Sequence, residues 1–217
     1  MPIFSKGNKR LFLIHIPKSA GSSVEKVAKR YGWQESFSER GKSLGDLQYY
    51  RSTPQHLHAS VLEKIFDFEK FNAVIMVVRN PYVRFKSEYY WQVRQGITRL
   101  MPSVWIEDTL CKYSDNKYIY DNHIRPQSEF LLSFEDLQVF KLEDDGVRKA
   151  EEVFLNLSPA GLSVEGIVQN FKRNFLGETR EKVSIKDEGV EAEFYSCRSV
   201  IYDFYKKDYE LFSYDKL

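Results

Sequence analysis

Two short apolar runs constrain the fold of this chain more than any other feature. "LFLIHI" covers residues 11–16 and "AVIMVV" covers Ala73–Val78, and neither run alternates polar with apolar residues. Continuous apolar runs of this length are typical of strands that are buried on both faces, as in a parallel sheet. Parallel strands need crossover connections, which are usually helices. The two runs therefore predict an α/β fold in which helices flank a parallel sheet.

Helix signals follow both runs. Apolar residues at positions i, i+3, i+4 and i+7, beginning at Val24, predict an amphipathic helix after the first run. After the second run, Asn80 is a capping residue and Pro81 suits the first helical position. Similar patterns predict a helix over residues 58–66, a strand over 137–144 with a helix after it, and a helix over 190–212.

Size and charge limit the classes of protein that fit. The chain of 217 residues is long enough for one well-packed domain, so we expect a single domain over residues 1–217. Its formal charge of +1 creates no general attraction for nucleic acid. No apolar run approaches the roughly 20 residues that a membrane anchor needs, and the polar start lacks a signal peptide. These features predict a soluble, cytoplasmic protein. The aromatic, irregular region 92–127 is expected to be an acceptor-side insertion.

The turn after the first run has the composition of an anion-binding loop. In "PKSAGSS", Gly21 permits close backbone approach, Ser22 and Ser23 offer hydroxyl groups, and the following helix presents free N–H groups. Lys18 precedes the glycine, whereas in the nucleotide loop GxxxxGK[ST] the lysine follows it. A lysine at the entrance suits the neutralisation of charge on a departing oxygen. The alternative is an ordinary helix-capping loop with a solvated lysine.

A second anion site is predicted at the end of the second run. Arg79 leaves the strand and Ser87 lies two helical turns later, in "VVRNPYVRFKSEYY". A guanidinium group and a hydroxyl are suited to hold a phosphate at the carboxyl end of a strand. A magnesium-dependent kinase would instead need an aspartate there. The alternative is that Arg79 forms a structural ion pair and Ser87 is a surface residue.

These two segments resemble the PAPS-dependent sulfotransferases. "HIPKSAGSS" is similar to their 5′-phosphosulfate loop, and "VVRNPYVRFKSEYY" to their 3′-phosphate motif R-x-P-x-x-R-x-x-S-x-Y. The resemblance is greatest to the Golgi carbohydrate sulfotransferase branch and its bacterial relatives. "QHLHAS" is similar to the H-x-H segment of that branch, "HIRPQSEFL" to its H-x-x-P-Q segment, and "FYKKDYELFSY" to its tail.

The resemblance implies a single-domain, P-loop-like α/β enzyme that needs no metal. Such an enzyme moves the sulfuryl group of 3′-phosphoadenosine-5′-phosphosulfate (PAPS) to an acceptor hydroxyl, which for this branch is a carbohydrate. Lys18 is then expected to stabilise the departing phosphate oxygen. The residues expected to bind PAPS are Lys18, Ser19, Ala20, Gly21, Ser22, Ser23, Arg79 and Ser87.

The resemblance also suggests roles for the histidines. His58 aligns with the second histidine of the H-x-H segment and is the expected base, while His56 is expected to orient it or to contact the acceptor. His15 is expected to be a packed core residue inside the first strand. The residues expected to line the acceptor site are Trp91, Arg94, His123 and Gln127, together with Arg125. The alternative for any single histidine is a structural role.

Other functions remain open at the level of sequence. A small NTP-dependent kinase and a non-catalytic nucleotide-binding module both fit a strand, an anion loop and a helix. Arg180 and Lys182 lie in a stretch that matches no family pattern closely. The expected partner is a small-molecule or oligosaccharide acceptor and no nucleic acid; the sequence predicts neither the acceptor's identity nor the oligomeric state.

Overall fold

Five strands form one sheet in the part of the chain that the structure describes. The structure is a computed structural model, and it describes residues 1–39, 48–158 and 188–216. The strands are β1 (Ile3–Lys6), β2 (Lys9–Ile14), β3 (Gln34–Ser36), β4 (Ala73–Val78) and β5 (Leu137–Lys141). Their order across the sheet is β3-β1-β2-β4-β5.

The centre of the sheet is parallel, as the sequence predicts. β2 pairs with β4 in the register Leu11 with Ala73, and β4 pairs in parallel with β5. The edge formed by β1 and β3 is antiparallel and was not predicted from the sequence. The fold is therefore α/β with a mixed sheet and a parallel core.

The described helices connect these strands and cover both faces of the sheet. They are α1 (Gly21–Arg30), α2 (Ala59–Ile65), α3 (Pro81–Arg94), α4 (Pro102–Asp115), α5 (Gly146–Leu157), α6 (Glu188–Ser196), α7 (Arg198–Phe204) and α8 (Lys206–Leu211). Short 3-10 turns lie at Pro54–His56, Phe68–Lys70, Ile119–Asn122, Gln127–Phe130 and Leu142–Asp144. No helix among the described residues combines the length and the apolar character of a membrane span.

Side chains of the two central strands alternate between two hydrophobic cores. Leu11, Leu13 and Ile75 face α1 and α5, whereas Ile14 and Met76 face α2 and the aromatic residues that follow it. A strand that is buried on both faces has no polar side, which explains why β4 is apolar at every position. The arrangement brings the carboxyl ends of β2 and β4 side by side.

A third core cluster lies beyond the sheet. There α3 packs against α4 and the C-terminal helices through aromatic residues, including Phe85, Trp105, Phe194 and Tyr205. The cluster includes residues from the region 92–127, which the sequence predicted to be irregular but which contains the 14-residue helix α4.

Most predicted elements are present with shifted ends. β2 ends at Ile14 and not at residue 16, because the chain turns into the anion loop there. The third predicted strand ends at Lys141 and continues as a 3-10 turn. The single helix predicted over 190–212 is three short helices, α6, α7 and α8. Arg180 and Lys182 lie outside the described residues.

Candidate active site

The loop between β2 and α1 has the backbone of an anion cradle. Lys18 and Ala20 both adopt positive φ, at 65° and 62°, which turns the chain sharply into α1. The Ala20 carbonyl accepts hydrogen bonds from the Ser23 and Val24 amides at 2.8 and 3.2 Å. The first turn of α1 contains no acidic residue. The loop therefore offers the positive end of a helix dipole to the space above it.

Gly21 is required by the packing of a neighbouring side chain. A Cβ atom at this position would lie 2.5 Å from the Cδ2 and Nε2 atoms of His15. Gly21 therefore lets the His15 ring lie directly against the loop, and the close approach of an anion to this backbone stays a prediction.

Lys18 and Arg79 bring two cationic side chains to one cavity. The Lys18 Nζ atom lies 5.4 Å from the centre of the Trp91 ring, and the Lys18 carbonyl accepts a hydrogen bond from the Arg79 guanidinium at 3.2 Å. Burial lowers the pKa of Arg79, although Glu143 opposes this effect. An arginine remains a cation under such conditions because its ordinary pKa lies far above physiological pH. Ser87 of α3 lines the same part of the cavity.

Gln127 joins the two loops and does not face the cavity. Its Oε1 atom accepts hydrogen bonds from the Arg79 amide at 2.9 Å and from the Ser19 hydroxyl at 3.3 Å. Its Nε2 atom donates to the Arg79 carbonyl at 2.8 Å, and the side chain is fully buried. Neither Gln127 nor Ser19 lines the cavity. This placement therefore does not support the expected contact of the Gln127 side chain with the acceptor or of the Ser19 side chain with PAPS.

A buried arginine that the sequence left without a role supports the opposite wall. Arg84 is the second arginine of the 3′-phosphate motif and is 1% exposed. Its guanidinium donates to the His123 carbonyl at 3.0 Å and to the Arg125 carbonyl at 2.7 Å. Arg125 is also buried and forms an ion pair with Glu129. Both arginines therefore hold the backbone beside His123.

Three histidines stand in a row along the cavity. The rings of His15 and His56 pack edge to face with centres 5.1 Å apart, and those of His56 and His123 with centres 5.0 Å apart. Each Nδ1 atom lies 2.7 Å from a carboxylate oxygen, that of Glu25, Asp121 and Glu88 respectively. A carboxylate at Nδ1 favours a proton on that nitrogen and leaves Nε2 as the atom with the free lone pair in a neutral ring.

Burial favours the neutral form of the His56 imidazole. Burial lowers the pKa of His56 well below its ordinary value, and the nearby His123 and His15 lower it further. The hydrogen bond with Asp121 opposes this effect only in part. Burial alone raises the pKa of Asp121, but hydrogen bonds from His56 and Thr53 outweigh it and hold that pKa low. The pair is therefore a neutral imidazole beside a carboxylate, which is the form a base requires.

His58, the base expected from the sequence, lies outside the cavity lining. It is the residue before the first turn of α2, and its Nδ1 and Nε2 atoms lie 3.0 Å from the Ser60 hydroxyl and 3.3 Å from the Tyr118 hydroxyl. Burial lowers the pKa of His58 as well. Since both ring nitrogens have partners within the protein, the placement favours His56 over His58 as the base. His15 is buried, as expected, but it follows the end of β2 and lines the cavity.

The cavity has a volume of about 980 Å³ and two chemically different ends. Ser23, expected at the donor end, and Arg94, expected at the acceptor site, do not belong to the lining; Arg94 is exposed at the end of α3. The donor end is lined by Lys18, Ala20, Gly21, Ser22, Arg79, Ser87 and Leu142. The opposite end is lined by Tyr50, Arg51, Thr53, Gln55, Asn116, Tyr118, Ile119, Tyr120 and Asp121, with His56, His123 and Trp91 between the two ends.

Sequence reasoning missed several of these residues. Asp121 lies two positions before His123, which begins the segment similar to the H-x-x-P-Q motif, and a carboxylate so close to a histidine was a usable signal. Arg51 and Asn116 carried no comparable signal because they lie in loops with no regular pattern.

One group of side chains has the composition of a metal site. His56, Asp121 and His123 each offer a ligand atom, and these atoms lie within 4.8 Å of one another. Both carboxylate oxygens of Asp121 already accept hydrogen bonds, from the Thr53 amide at 2.6 Å, the Thr53 hydroxyl at 2.7 Å and His56. Both oxygens are therefore engaged within the protein, and this bonding suits a carboxylate that orients an imidazole.

Comparison with known proteins agrees with this geometry. The sequence model described as the sulfotransferase family (Sulfotransfer_2) matches residues 1–215, nearly the whole chain. No curated protein and no solved structure matches the chain at a significant level. The match includes the loop of Lys18, the strand that ends at Arg79 and the histidines between them. The chain therefore belongs to the sulfotransferase family.

Proposed function

We propose that this enzyme transfers the sulfuryl group of PAPS to a hydroxyl group of a carbohydrate, without a metal ion. One observation carries the proposal. A single cavity has the anion loop with Lys18 and the pair of Arg79 and Ser87 at one end, and tyrosine side chains at the other end. His56, whose Nδ1 atom is held by the carboxylate of Asp121, lies between the two ends. Transfer needs these parts to face one another, because donor and acceptor react only when held in line.

The donor end suits a nucleotide with phosphates at two positions. The loop of residues 18–23 supplies backbone N–H groups and the Lys18 ammonium group for the 5′-phosphosulfate. Arg79 supplies a guanidinium group, and Ser87 a hydroxyl group, for the 3′-phosphate. PAPS carries the activated sulfuryl group, so no further group is needed for its transfer.

The proposed reaction moves one proton and exchanges one bond. The acceptor oxygen attacks sulfur while the bond between sulfur and the 5′-phosphate oxygen breaks. His56 Nε2 takes the hydroxyl proton, and Lys18 stabilises the negative charge that collects on the departing phosphate oxygen. We assign the base to His56 and not to His58, since only His56 lines the cavity.

The far end of the cavity suits a sugar. Tyr50, Tyr118 and Tyr120 offer flat aromatic faces, while Arg51 and Asn116 offer hydrogen-bond donors beside them. Aromatic faces with a few convergent polar groups are the usual composition of a small-molecule site. Together with the resemblance to the carbohydrate branch, this composition supports an oligosaccharide acceptor. The cytoplasmic location expected from the sequence stays a prediction.

Calorimetry tests the donor assignment. We expect the protein to bind 3′-phosphoadenosine-5′-phosphate more tightly than ADP or ATP, and we expect Arg79→Ala to remove that preference. Arg94→Ala is the matched control, because Arg94 is an exposed arginine near the cavity that does not line it. A preference for ATP that depends on magnesium would favour the kinase alternative.

A transfer assay tests the reaction itself. PAPS is supplied with a panel of neutral and uronate-containing oligosaccharides in the presence of EDTA, and sulfated products are detected by mass spectrometry. Product formation that His56→Ala abolishes supports the assignment. Tight nucleotide binding without transfer to any member of the panel would favour a non-catalytic module.

A further inference from the structure

The residues around Asp121 adopt an unusual backbone conformation. Tyr120, Asp121 and Asn122 have φ values of 50°, 55° and 64° in succession. Residues with a Cβ rarely adopt this left-handed region, and runs of them are rarer still. Such a conformation persists only where the surrounding contacts determine it, and it is concentrated at functional sites.

Contacts with the turn that contains His56 determine this conformation. Asp121 accepts hydrogen bonds from the Thr53 amide at 2.6 Å and from the Thr53 hydroxyl at 2.7 Å. Asn122 is fully buried and donates to the Ser52 hydroxyl at 2.9 Å and to the His56 carbonyl at 2.8 Å. The left-handed segment is therefore tied to both ends of residues 52–56.

Besides these bonds to Thr53, Asp121 contacts the imidazole ring of His56. Its Oδ2 atom lies 2.7 Å from His56 Nδ1. The oxygen can only accept, so His56 Nδ1 carries the proton and His56 Nε2 holds the lone pair. The other titratable groups around His56 are the His15–Glu25 pair, the His123–Glu88 pair and the buried amino group of Met1.

We propose that Asp121 is the positioning residue of the base, fixing the Nδ1–H tautomer of His56 so that Nε2 can accept the proton of the acceptor hydroxyl. The inference rests on the proposed function, in which His56 is the base. When Nε2 takes that proton, Asp121 remains a carboxylate and stabilises the imidazolium through Nδ1–H. Because Tyr118 and Tyr120 of the same segment line the acceptor end, one short segment both shapes the acceptor site and orients the base.

Asp121→Asn tests the proposal because the structure dictates how the amide must lie. The Thr53 amide donates to the side chain, so the asparagine oxygen stays on that side and its NH₂ group faces His56 Nδ1. The NH₂ group can only donate, which moves the imidazole proton to Nε2. The Thr53 hydroxyl can rotate to accept from the same NH₂ group.

The first measurement needs no acceptor. The chain has four histidines, so the imidazole signals in a ¹⁵N spectrum can be assigned by single replacements. We expect His56 to be the Nδ1–H tautomer in the parent protein and the Nε2–H tautomer in Asp121→Asn. An unchanged tautomer would overturn the proposal whether or not His56 is the base.

The second measurement is turnover with an acceptor identified by the transfer assay. We expect Asp121→Asn to lower kcat by about 100-fold or more, with little change in the affinity for 3′-phosphoadenosine-5′-phosphate or in the KM for the acceptor. Glu88→Gln is the matched control, since it alters the same type of bond to His123; we expect it to leave the His56 tautomer unchanged. If Asp121→Asn fails to fold, Thr53→Val is used, and we expect a smaller loss of kcat because one bond to the carboxylate is removed.

The outcomes separate the inference from the proposed function. Full turnover in Asp121→Asn together with no turnover in His56→Ala would overturn the positioning role and retain the base. Full turnover in His56→Ala would overturn the base itself, whatever the tautomer of the imidazole.

Discussion

Gly21→Ala tests how closely the anion loop and the histidine row are packed. The new Cβ would lie 2.5 Å from the His15 ring, about 1 Å closer than a normal carbon–carbon contact of roughly 3.5 Å. The ring has little freedom to move, because His15 Nδ1 is held by the buried Glu25 and the His56 ring packs against it. Overpacking of this kind costs about 1–3 kcal/mol. We therefore expect the free energy of unfolding, measured by urea denaturation, to fall by about that amount.

A double-mutant cycle with His15→Ala isolates the cause. Position 21 has no positive φ, so an alanine there is otherwise acceptable at the start of a helix. In the His15→Ala background we expect Gly21→Ala to cost little or to stabilise the protein slightly. An equal cost in both backgrounds would refute the reasoning, because it would show that the loss does not come from contact with the ring.

Three further predictions concern the ligand site. Arg79→Ala should weaken the binding of 3′-phosphoadenosine-5′-phosphate by about 10- to 100-fold, because a charge-assisted hydrogen bond is worth about 1.5–3 kcal/mol. Calorimetry measures this loss, and an equal loss of affinity for adenosine 5′-phosphate would contradict the assignment of Arg79 to the 3′-phosphate. Lys18→Ala should lower kcat by about 100- to 1,000-fold and affect nucleotide affinity less, because the charge on the departing oxygen develops only during transfer; a loss confined to affinity would count against that role. Because burial lowers the pKa of His56, this base should stay unprotonated below pH 6.5. The fall of kcat/KM on the acid side of its pH profile should therefore occur below pH 6.5. A fall at or above pH 6.5 would show that another group titrates.

The central part of the fold could be predicted because its residues are buried in a simple pattern. β4 and residues 11–14 of β2 lie between two layers of helices, so their side chains are apolar and the runs are visible in the sequence. β1 and β3 have only four and three residues, too few for any pattern to appear. The apolar residues Trp105, Ile106 and Tyr113 of α4 do have the spacing of one helical face. The polar Thr109 on the same face interrupts the pattern, so the helix was not predicted.

The candidate site was predictable only as far as it depends on sequence order. The loop of Lys18 and the strand end at Arg79 adjoin because parallel strands share one carboxyl edge. The choice between His56 and His58 was not accessible in this way. In extended backbone, residues two positions apart project to the same side, so the sequence offered no ground for separating His56 from His58. His56 ends the 3-10 turn of residues 54–56, and the packing of this turn against Asp121 accompanies its place in the cavity lining.

The buried Gln127 amide has a consequence for the recognition of nucleotides. It bonds both the loop that contains Ser19 and the strand end that contains Arg79, so the protein itself holds the two proposed anion-binding points at a fixed distance. Such a site accepts two phosphates at the same time only if their separation matches this distance. A nucleotide whose two phosphates are spaced differently would engage one point at a time, and the enzyme would discriminate among donors by their span as well as by their charge.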